Sequence, residues 1–543
     1  MANSKKTSVK PESKPTTAKK PASAAKTAKP SAAKKPAAKT AKPVKAIEPE
    51  VKTTTEAAKP AKPVEQVKPD KKIKVLFVTA EAFPFAGTGG LGEVAGSLPK
   101  ALNAVGVETR VIMPLYGTIA QKYREKMTFV TQMRVMVGWR NQYCGLLKLE
   151  NDGVVTYFID NEYYFKRDKI YGCFDDAERF AFFSRAALCV LPALDFKPDV
   201  IHANDHATAL VPVYYATEYK YLYGYEGIKT VFTIHNLEYQ GCYPSFILGD
   251  VFGIAEHNRG IVDFNGQINC LKGALETSDI ISTVSPTYAK EILVPDRSCG
   301  LGCILERNRH KIVGILNGIN VDEYNPKTSP AICKNFDAEH PNGKAECKAA
   351  IKAELGLSES DRPLVAIISR LAGHKGLDLV KMLLEWGSSA FDNTDLIVLG
   401  TGENYLEEFF KHYASSHGNV RAVITYDKNL AQRIYAGADM FLMPSGAEPC
   451  GLSQMMACRY GTVPIVRRTG GLADSIVDCR GNDAGYGFLF DDYTPSALNA
   501  TLADAAEMFK TENWKKVMHR AMLCDFSWNV SAKEYAKMYS EIK

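Results

Sequence analysis

The sequence predicts an α/β protein of two doubly wound domains, preceded by a low-complexity tail. Three observations lead there. Short apolar runs of strand type alternate with helical patterns from Lys74 onward. Many of these runs lead into a polar loop, the arrangement of parallel strands that end at a ligand crevice. The alternation breaks once, in a polar stretch near Pro326, and then resumes, which fits two domains better than one continuous ring.

Taken in order, residues 1–72 repeat Lys, Pro, Ala and Thr and contain no aromatic residue. Such a segment buries too little apolar surface to offset its ordering entropy, so a disordered, solvated tether is expected. The sharper alternative is an electrostatic arm for an acidic partner such as nucleic acid. A plastid transit peptide is disfavoured by the absence of Arg and the presence of five Glu. Residues 1–70 hold 17 Lys and 6 acids, an excess of +11, whereas the rest carries 50 basic and 55 acidic residues, or −5. The folded body is therefore mildly acidic and unlike a general nucleic-acid binder. The thirteen cysteines lie between Cys144 and Cys524 of a 543-residue chain, which suits reduced thiols in a cytoplasmic enzyme better than a disulfide framework. Cys299-Gly-Leu-Gly-Cys303 supplies half of a metal pattern with no matching second pair. No apolar run approaches the about 18 residues of a membrane span, and no hydrophobic signal core follows the N-terminus.

Order begins at Lys74. KVLFVTA is a continuous apolar strand, EAFPFAGTGG a turn-rich loop, LGEVAGSLPKALNAVG a helix and ETRVIMP the next strand, together one βαβ unit. From Leu115 to Lys169 the pattern is less regular, and alternating pieces such as GVVTYFID suggest antiparallel strands. AERFAFFSRAALCVLPAL has helical spacing. PDVIHANDH and KTVFTIHN are strands running into polar loops, and SDIISTVS and KIVGILNGI repeat the pattern. This places an N-terminal domain at 73–326. A second series, RPLVAIISR, TDLIVLGTG, NVRAVITYD, ADMFLMPS and TVPIVRR, forms a C-terminal domain at 327–543. The last helix, SAKEYAKMYSEI, is amphipathic and is expected to pack back on the N-terminal domain. The cleft between the domains is the default ligand site.

Four groups carry candidate chemistry. Within Met440–Gly471, Glu448 sits where a strand ends and a helix begins, and the amides of Gly451 to Ser453 are placed to hold an anion. A capping acid on an ordinary crossover is the plainer reading. Gly87-Thr-Gly-Gly-Leu-Gly92 matches the dinucleotide pattern G-x-G-x-x-G. Its long entry loop and the missing acid at the end of the next strand argue against a nicotinamide or flavin oxidoreductase. A loop whose N–H groups approach a phosphate or sugar fits better. Arg370 ends a strand and Lys375 follows in its loop, a fork and a point charge suited to a diphosphate. His202-Ala-Asn-Asp205 and His235-Asn236 end two strands with polar groups that point into the cleft.

Together these stretches resemble the bacterial glycogen synthase and plant starch synthase family over essentially all of residues 74–543. The likeness rests on TAEAFPFAGTGGLGEVAGSLPKAL, HANDHATAL, FTIHNLEYQG, ILNGI, SRLAGHKGLDL, YDKNLAQRIYAGAD, PSGAEPCGLSQMMACRYGTVPIVRRTGGLADSIVD and DFSWNVSAKEY. The resemblance implies two facing Rossmann-like domains of the B-type glycosyltransferase fold. It implies retaining transfer of glucose from ADP-glucose, or less often UDP-glucose, to the nonreducing end of an α-1,4-glucan, with no metal or other cofactor. By position it implies that Arg370 and Lys375 neutralise the donor diphosphate and that Gly89 and Gly90 approach the donor through backbone N–H. It further implies that Tyr426 stacks on the base, that Glu448 faces the glucose with the Gly451 and Leu452 amides nearby, and that Asp205, His235 and Asn317 contact the glucose. A front-face mechanism is the family's usual account, with Glu448 orienting charge and not acting as a covalent nucleophile. Three departures surround the donor site: Gly87 where the family has Lys, His374 where it has Gln, and Gly446-Ala447 where it has a large pair. They raise the alternative of a weakened or inactive homologue that serves as a glucan-binding or initiation scaffold.

Overall fold

The structure, a computed structural model, describes residues 72–542. The tail expected at 1–72 therefore lies, apart from Lys72, outside the described residues. The first strand, β1 (Lys74–Val78), is KVLFV and is buried from its second residue onward, as a strand covered on both faces must be. The helix Gly90–Ala104 returns the chain to β2 (Glu108–Pro114), which pairs parallel to β1.

The less regular stretch after Leu115 is an antiparallel extension of that sheet. It comprises β3 (Thr128–Val137), β4 (Arg140–Asn151) and β5 (Val154–Asp160). Strand β5 pairs antiparallel to β4 and parallel to β2, so it joins the meander to the main sheet. Its central residues Thr156 to Ile159 are all buried, which explains why the alternation in GVVTYFID is only partial. The helix Asp176–Cys189 leads to β6 (Val200–Asn204), and β7 (Lys229–Ile234) follows. Three short strands, β8 (Cys242–Pro244), β9 (Asp263–Phe264) and β10 (Gln267–Asn269), form a small separate sheet that the sequence patterns do not announce. With β11 (Ile280–Thr283) and β12 (Ile312–Gly314) the first sheet reads β12-β11-β7-β6-β1-β2-β5-β4-β3 among the described residues.

A second sheet holds β13 (Leu364–Ile368), β14 (Asp395–Leu399), β15 (Val420–Val423), β16 (Met440–Met443), β17 (Val463–Arg467) and β18 (Phe488–Phe490). Its order is β15-β14-β13-β16-β17-β18, with every pair parallel. The strand order reverses at β1/β6 in the first sheet and at β13/β16 in the second. Such a reversal splays the two crossovers to opposite faces and opens a crevice at the carboxyl ends of the strands.

Two chain crossings link the sheets. After β12 the chain runs through Ile319, whose N–H donates to Phe526 O at 2.8 Å, beside the start of the last helix. That helix, Trp528–Ile542, packs on the helix Gly90–Ala104. Buried His202 on β6 meets the Tyr539 hydroxyl at 2.7 Å, and Ser531 Oγ donates to Leu316 O. The end of the chain is thereby fastened to the first sheet.

Candidate active site

Most of the residues singled out above gather at the two strand-order reversals, while His235, Asn317 and Tyr426 follow β7, β12 and β15. In the second sheet, the loop after β13 and the loop after β16 come together. Lys375 Nζ lies 2.7 Å from Glu448 Oε2, and Ser445 Oγ donates to the same oxygen at 3.1 Å. Glu448 is only 6 % exposed, so its carboxylate is balanced by one cation and one hydroxyl inside the protein. The pairing requires close backbone approach. Gly376, with φ 75°, follows Lys375, and a Cβ there would collide with the Pro444 carbonyl. Gly470, with φ 43°, backs the other side of the loop, where a Cβ would strike the Glu448 carbonyl oxygen. The glycines therefore permit the contact that brings Lys375 to Glu448.

Arg370 opens the same β13 loop and is exposed. Its guanidinium donates to His374 Nε2 at 3.4 Å and, among the described residues, forms no ion pair with a carboxylate. Burial, and then the neighbouring Lys375 and Arg370 charges, push His374 below its ordinary pKa, which keeps it a neutral acceptor beside two cations. The negative Glu238 carboxylate, from the loop after β7, also reaches His374 electrostatically.

Gly451, with φ 71°, turns the chain into the helix Ser453–Arg459, and Leu452 occupies its N-cap position. Tyr426 follows β15, two strands from β13, and its ring is 83 % exposed, so the structure does not pack it against Glu448 or Lys375. Two buried acceptors next to the Glu448 loop have no hydrogen-bond partner among the described residues. They are Asn317 Oδ1, on a side chain 6 % exposed, and Gln454 Oε1. The Cys450 thiol hydrogen-bonds the Asn317 backbone, so Asn317 reaches the second sheet's loop from the first. Buried, unpartnered acceptors of this kind are costly unless something donates to them.

In the first sheet, Asp205 follows β6 with φ 57° and ψ 177°, a conformation nearly reserved for glycine that costs on the order of 1–3 kcal/mol in another residue. The strain is held by hydrogen bonds: Asp205 Oδ1 accepts from His235 N at 2.7 Å, and the Asn236 backbone also hydrogen-bonds the Asp205 carboxylate. Burial nevertheless pushes the Asp205 carboxyl up to about 7, against the pull of those two amides. His235 is pushed down to about 3 by burial and is neutral near pH 7. Its Nε2 faces Asn204 Oδ1 at 2.9 Å, while the Asn204 amide nitrogen donates to Val78 O and His202 O. With the amide so oriented, Nε2 must carry the proton, which leaves Nδ1 as an acceptor.

Gly89 and Gly90 are exposed, and a Cβ at either would meet nothing, so their surface is open to a ligand's approach. What holds this loop escaped the sequence reading. Buried Glu81 accepts from Thr88 N at 2.6 Å and from Thr88 Oγ1 at 2.9 Å. Its acid in EAFPFAG was a visible signal, as was Asn204 inside HAND, but neither pattern says which neighbour each would hold. Cross-sheet contacts were invisible altogether. Ser285 Oγ donates to Pro449 O at 2.7 Å, Arg297 donates to Gly446 O at 3.4 Å, and Lys428 pairs with Glu93 at 3.4 Å and with Glu323 at 2.5 Å. These bring the loops of one sheet against those of the other.

Metal ligation gains no support from the side chains. Among the described residues, one group of close candidate ligands occurs, Cys173, Asp175 and Asp176. Its carboxylates face Arg167 and Arg179, which already balance their charge.

Comparisons with known proteins place the fold and the family. Residues 74–307 match the family model described as starch synthase catalytic domain, and residues 350–516 match glycosyl transferases group 1. Similar curated proteins include the glycogen synthase of Anoxybacillus flavithermus, 45% identical over 476 residues that span 87% of this chain and 98% of that protein. The glycogen synthase of Desulforamulus reducens is 44% identical over 87% of this chain and 99% of its own length. Among solved structures, the catalytic domain of starch synthase IV from Arabidopsis thaliana bound to ADP and acarbose superposes with a TM-score of 0.80 at 34% identity, covering 87% of this chain and 99% of that one. Sucrose-phosphate synthase from Thermosynechococcus elongatus, at TM-score 0.55 and 15% identity, shares the fold. With both halves of the chain matched in order and relatives this similar over nearly their whole length, the chain belongs to the glycogen and starch synthase family of glycosyltransferases.

Proposed function

We propose that this protein elongates an α-1,4-glucan by transferring glucose, with retention of configuration, from ADP-glucose to the nonreducing end. The observation that carries the reading is the cationic pair at the β13/β16 reversal. Arg370 is exposed without a carboxylate, and Lys375 stands 2.7 Å from Glu448. A departing nucleoside diphosphate develops negative charge, and preorganised cations stabilise that charge more in the transition state than in the ground state. The ADP bound to the similar starch synthase IV domain supports an adenine nucleotide here, and the acarbose bound to it supports an oligosaccharide-like acceptor.

In this reading the donor C1–O bond breaks toward the Arg370–Lys375 side. The acceptor hydroxyl attacks from the same face, and its proton passes to the leaving diphosphate oxygen. Glu448, tied to Lys375 and Ser445, orients and balances charge, because a carboxylate so engaged is a poor nucleophile. Asp205, His235 Nδ1 and Asn317 Oδ1 accept from glucose hydroxyls, and Gly89, Gly90, Gly451 and Leu452 offer backbone N–H. Tyr426 presents its exposed ring to the base, where stacking alone tolerates uracil as well as adenine. Residues 73–326 then form the acceptor and glucose side and 327–543 the donor side. Among the described residues no helix is long and apolar enough to cross a membrane.

The test is glucose incorporation into a glycogen primer with purified protein and no added metal, comparing ADP-glucose with UDP-glucose. Incorporation that prefers ADP-glucose supports the reading, and preference for UDP-glucose overturns the donor assignment. A second reading, a noncatalytic glucan-binding scaffold, is favoured by Gly87, which removes a cation beside the donor site. Glycogen binding without incorporation from either donor would select it.

A further inference from the structure

Apart from the donor site, one pair of cysteines is set up for chemistry. All thirteen cysteines are free thiols. Cys333 is exposed, in the segment that runs from the first sheet toward the second. Cys347 is buried on the helix Gly343–Glu354. Their sulfurs lie 3.7 Å apart, and Cys347 Sγ also donates to Lys334 O at 3.3 Å, the carbonyl next to Cys333. No other two of the thirteen thiols hydrogen-bond to each other among the described residues.

The surroundings hold the two sulfurs in register. Asn335 donates to Pro326 O at 3.1 Å and to Ser329 O at 2.9 Å, which closes the segment on itself. Ser329 Oγ donates to Gln432 Oε1 at 2.6 Å, on the helix Lys428–Gly437. Lys344, buried, donates to Tyr435 O, Ala436 O and Tyr460 O. Those carbonyls lie at the far ends of the helix that begins just after Tyr426 and of the helix that begins just after Leu452. The cysteine pair thus sits behind the two helices whose first turns border the candidate active site.

We propose that Cys333 and Cys347 form a reversible intramolecular disulfide on exposure to a peroxide, clamping this segment to the helix Gly343–Glu354. The Cys333 thiolate attacks one peroxide oxygen, the O–O bond breaks, and a sulfenic acid and hydroxide result. The Cys347 thiol then displaces the sulfenic oxygen, which leaves as water while the S–S bond forms. The sum is two thiols plus hydrogen peroxide giving one disulfide and two waters. The sulfurs close from 3.7 Å to the about 2.05 Å of a disulfide, a movement within reach of an exposed loop residue. A dithiol reverses the step by exchange. Exposure of Cys333 makes it the first to react. Burial pushes the Cys347 thiol up to about 11, which disfavours its direct attack on the oxidant, and its position 3.7 Å from the Cys333 sulfur leaves it the resolving partner.

The test treats the full chain with stoichiometric hydrogen peroxide, blocks remaining thiols, and digests with trypsin without reduction. The expected product joins peptide 328–334 to peptide 345–348, each of which contains a single cysteine. Dithiothreitol should abolish it, and the oxidised protein should melt at least about 2 °C higher than the reduced one, because the link constrains the unfolded chain. Cys333→Ser, at an exposed position, should fold normally and give neither the joined peptide nor the gain in Tm. Two results would each overturn the proposal: Cys333 reaching the sulfinic state while Cys347 remains fully alkylatable, or Cys333 linked to any other cysteine.

Discussion

Replacing Lys375 by Met separates two jobs that the proposed function gives one side chain. In the protein as it stands, the Lys375 ammonium is the sole cation within ion-pair distance of the Glu448 carboxylate among the described residues. Removing it leaves a nearly buried carboxylate with a single neutral donor, Ser445. Breaking a buried pair in this way costs about 3–5 kcal/mol, and the lower end applies because the Lys375 side chain is still 19% exposed and water can enter. At roughly 2 °C per kcal/mol for a large chain, Tm should fall by about 6 °C. Neutralising the partner as well, in Lys375→Met/Glu448→Gln, removes the uncompensated charge and should restore most of that loss. Turnover should behave differently. A charge-assisted contact to the leaving diphosphate is worth about 1.5–3 kcal/mol, so kcat should drop about 10- to 100-fold in Lys375→Met and stay down in the double variant. The assay is a double-mutant cycle, with Glu448→Gln as the third corner, read both by melting and by glucose incorporation against donor concentration. Recovery of kcat in the double variant to within about threefold of the parent would refute the reasoning. Lys375 would then act only by propping up Glu448.

Further outcomes are expected. Gly87→Lys should raise kcat/KM for the donor about 10-fold, as one added charge contact allows. The Phe83 ring must swing to admit it, since a Cβ at Gly87 would stand 2.9 Å from Phe83 Cζ. Unchanged kinetics from a variant of normal Tm would show that no cation is missing there. Burial raises the Asp205 carboxyl to about 7, and its ionised form is the stronger acceptor for a sugar hydroxyl, so kcat/KM should rise as pH increases through about 7. Asp205→Asn should flatten that rise, and a rise that persists in the variant would assign it to another group. Stability should follow the opposite groups. His202 and His235 are held at about 3 against about 6.5 in the unfolded chain, so the stability they contribute is whole above about pH 6.5 and is lost as pH falls toward 3. Asp205, raised from 3.8, opposes them between about pH 7 and 4, since the folded form binds its proton first. Asp205→Asn should therefore lose up to about 2 kcal/mol more than the parent between pH 7 and pH 5 in urea melts. An equal loss in both proteins would mean that Asp205 is not raised.

How much was legible beforehand follows from the range of each signal. Strand β2 could be read to the residue, because ETRVIMP combines a buried parallel pattern with turn residues on either side. The helix Gly90–Ala104 and the strands from β13 to β17 were legible for the same reason. The small sheet of β8, β9 and β10 was not, because strands of two or three residues have too few positions for a period to show. Strand β5 looked half solvated in sequence yet lies buried between parallel and antiparallel neighbours. Glu448 and Lys375 were both marked as site residues, but as separate contacts. Seventy-three positions apart, they gave no local sign of a bond to each other.

The sequence alone determined the alternation of strands and helices, the loops that bear charge, and the motifs whose order marks the family. These are local properties, set by side-chain period and by backbone permission at glycine. Only the tertiary structure decided which loops meet. The reversals of strand order at β1/β6 and β13/β16 bring together segments far apart in the chain. Folding also converts single residues into couples: the β13/β16 reversal joins Lys375 to Glu448, the pairing of β6 with β7 joins His235 to Asn204, and the loop after β1 folds Thr88 back on Glu81. The proton on His235, the raised pKa of Asp205 and the unpartnered oxygen of Asn317 are consequences of those couples and of burial. Desolvation and hydrogen bonding depend on neighbours in space, and no spacing along the chain encodes them.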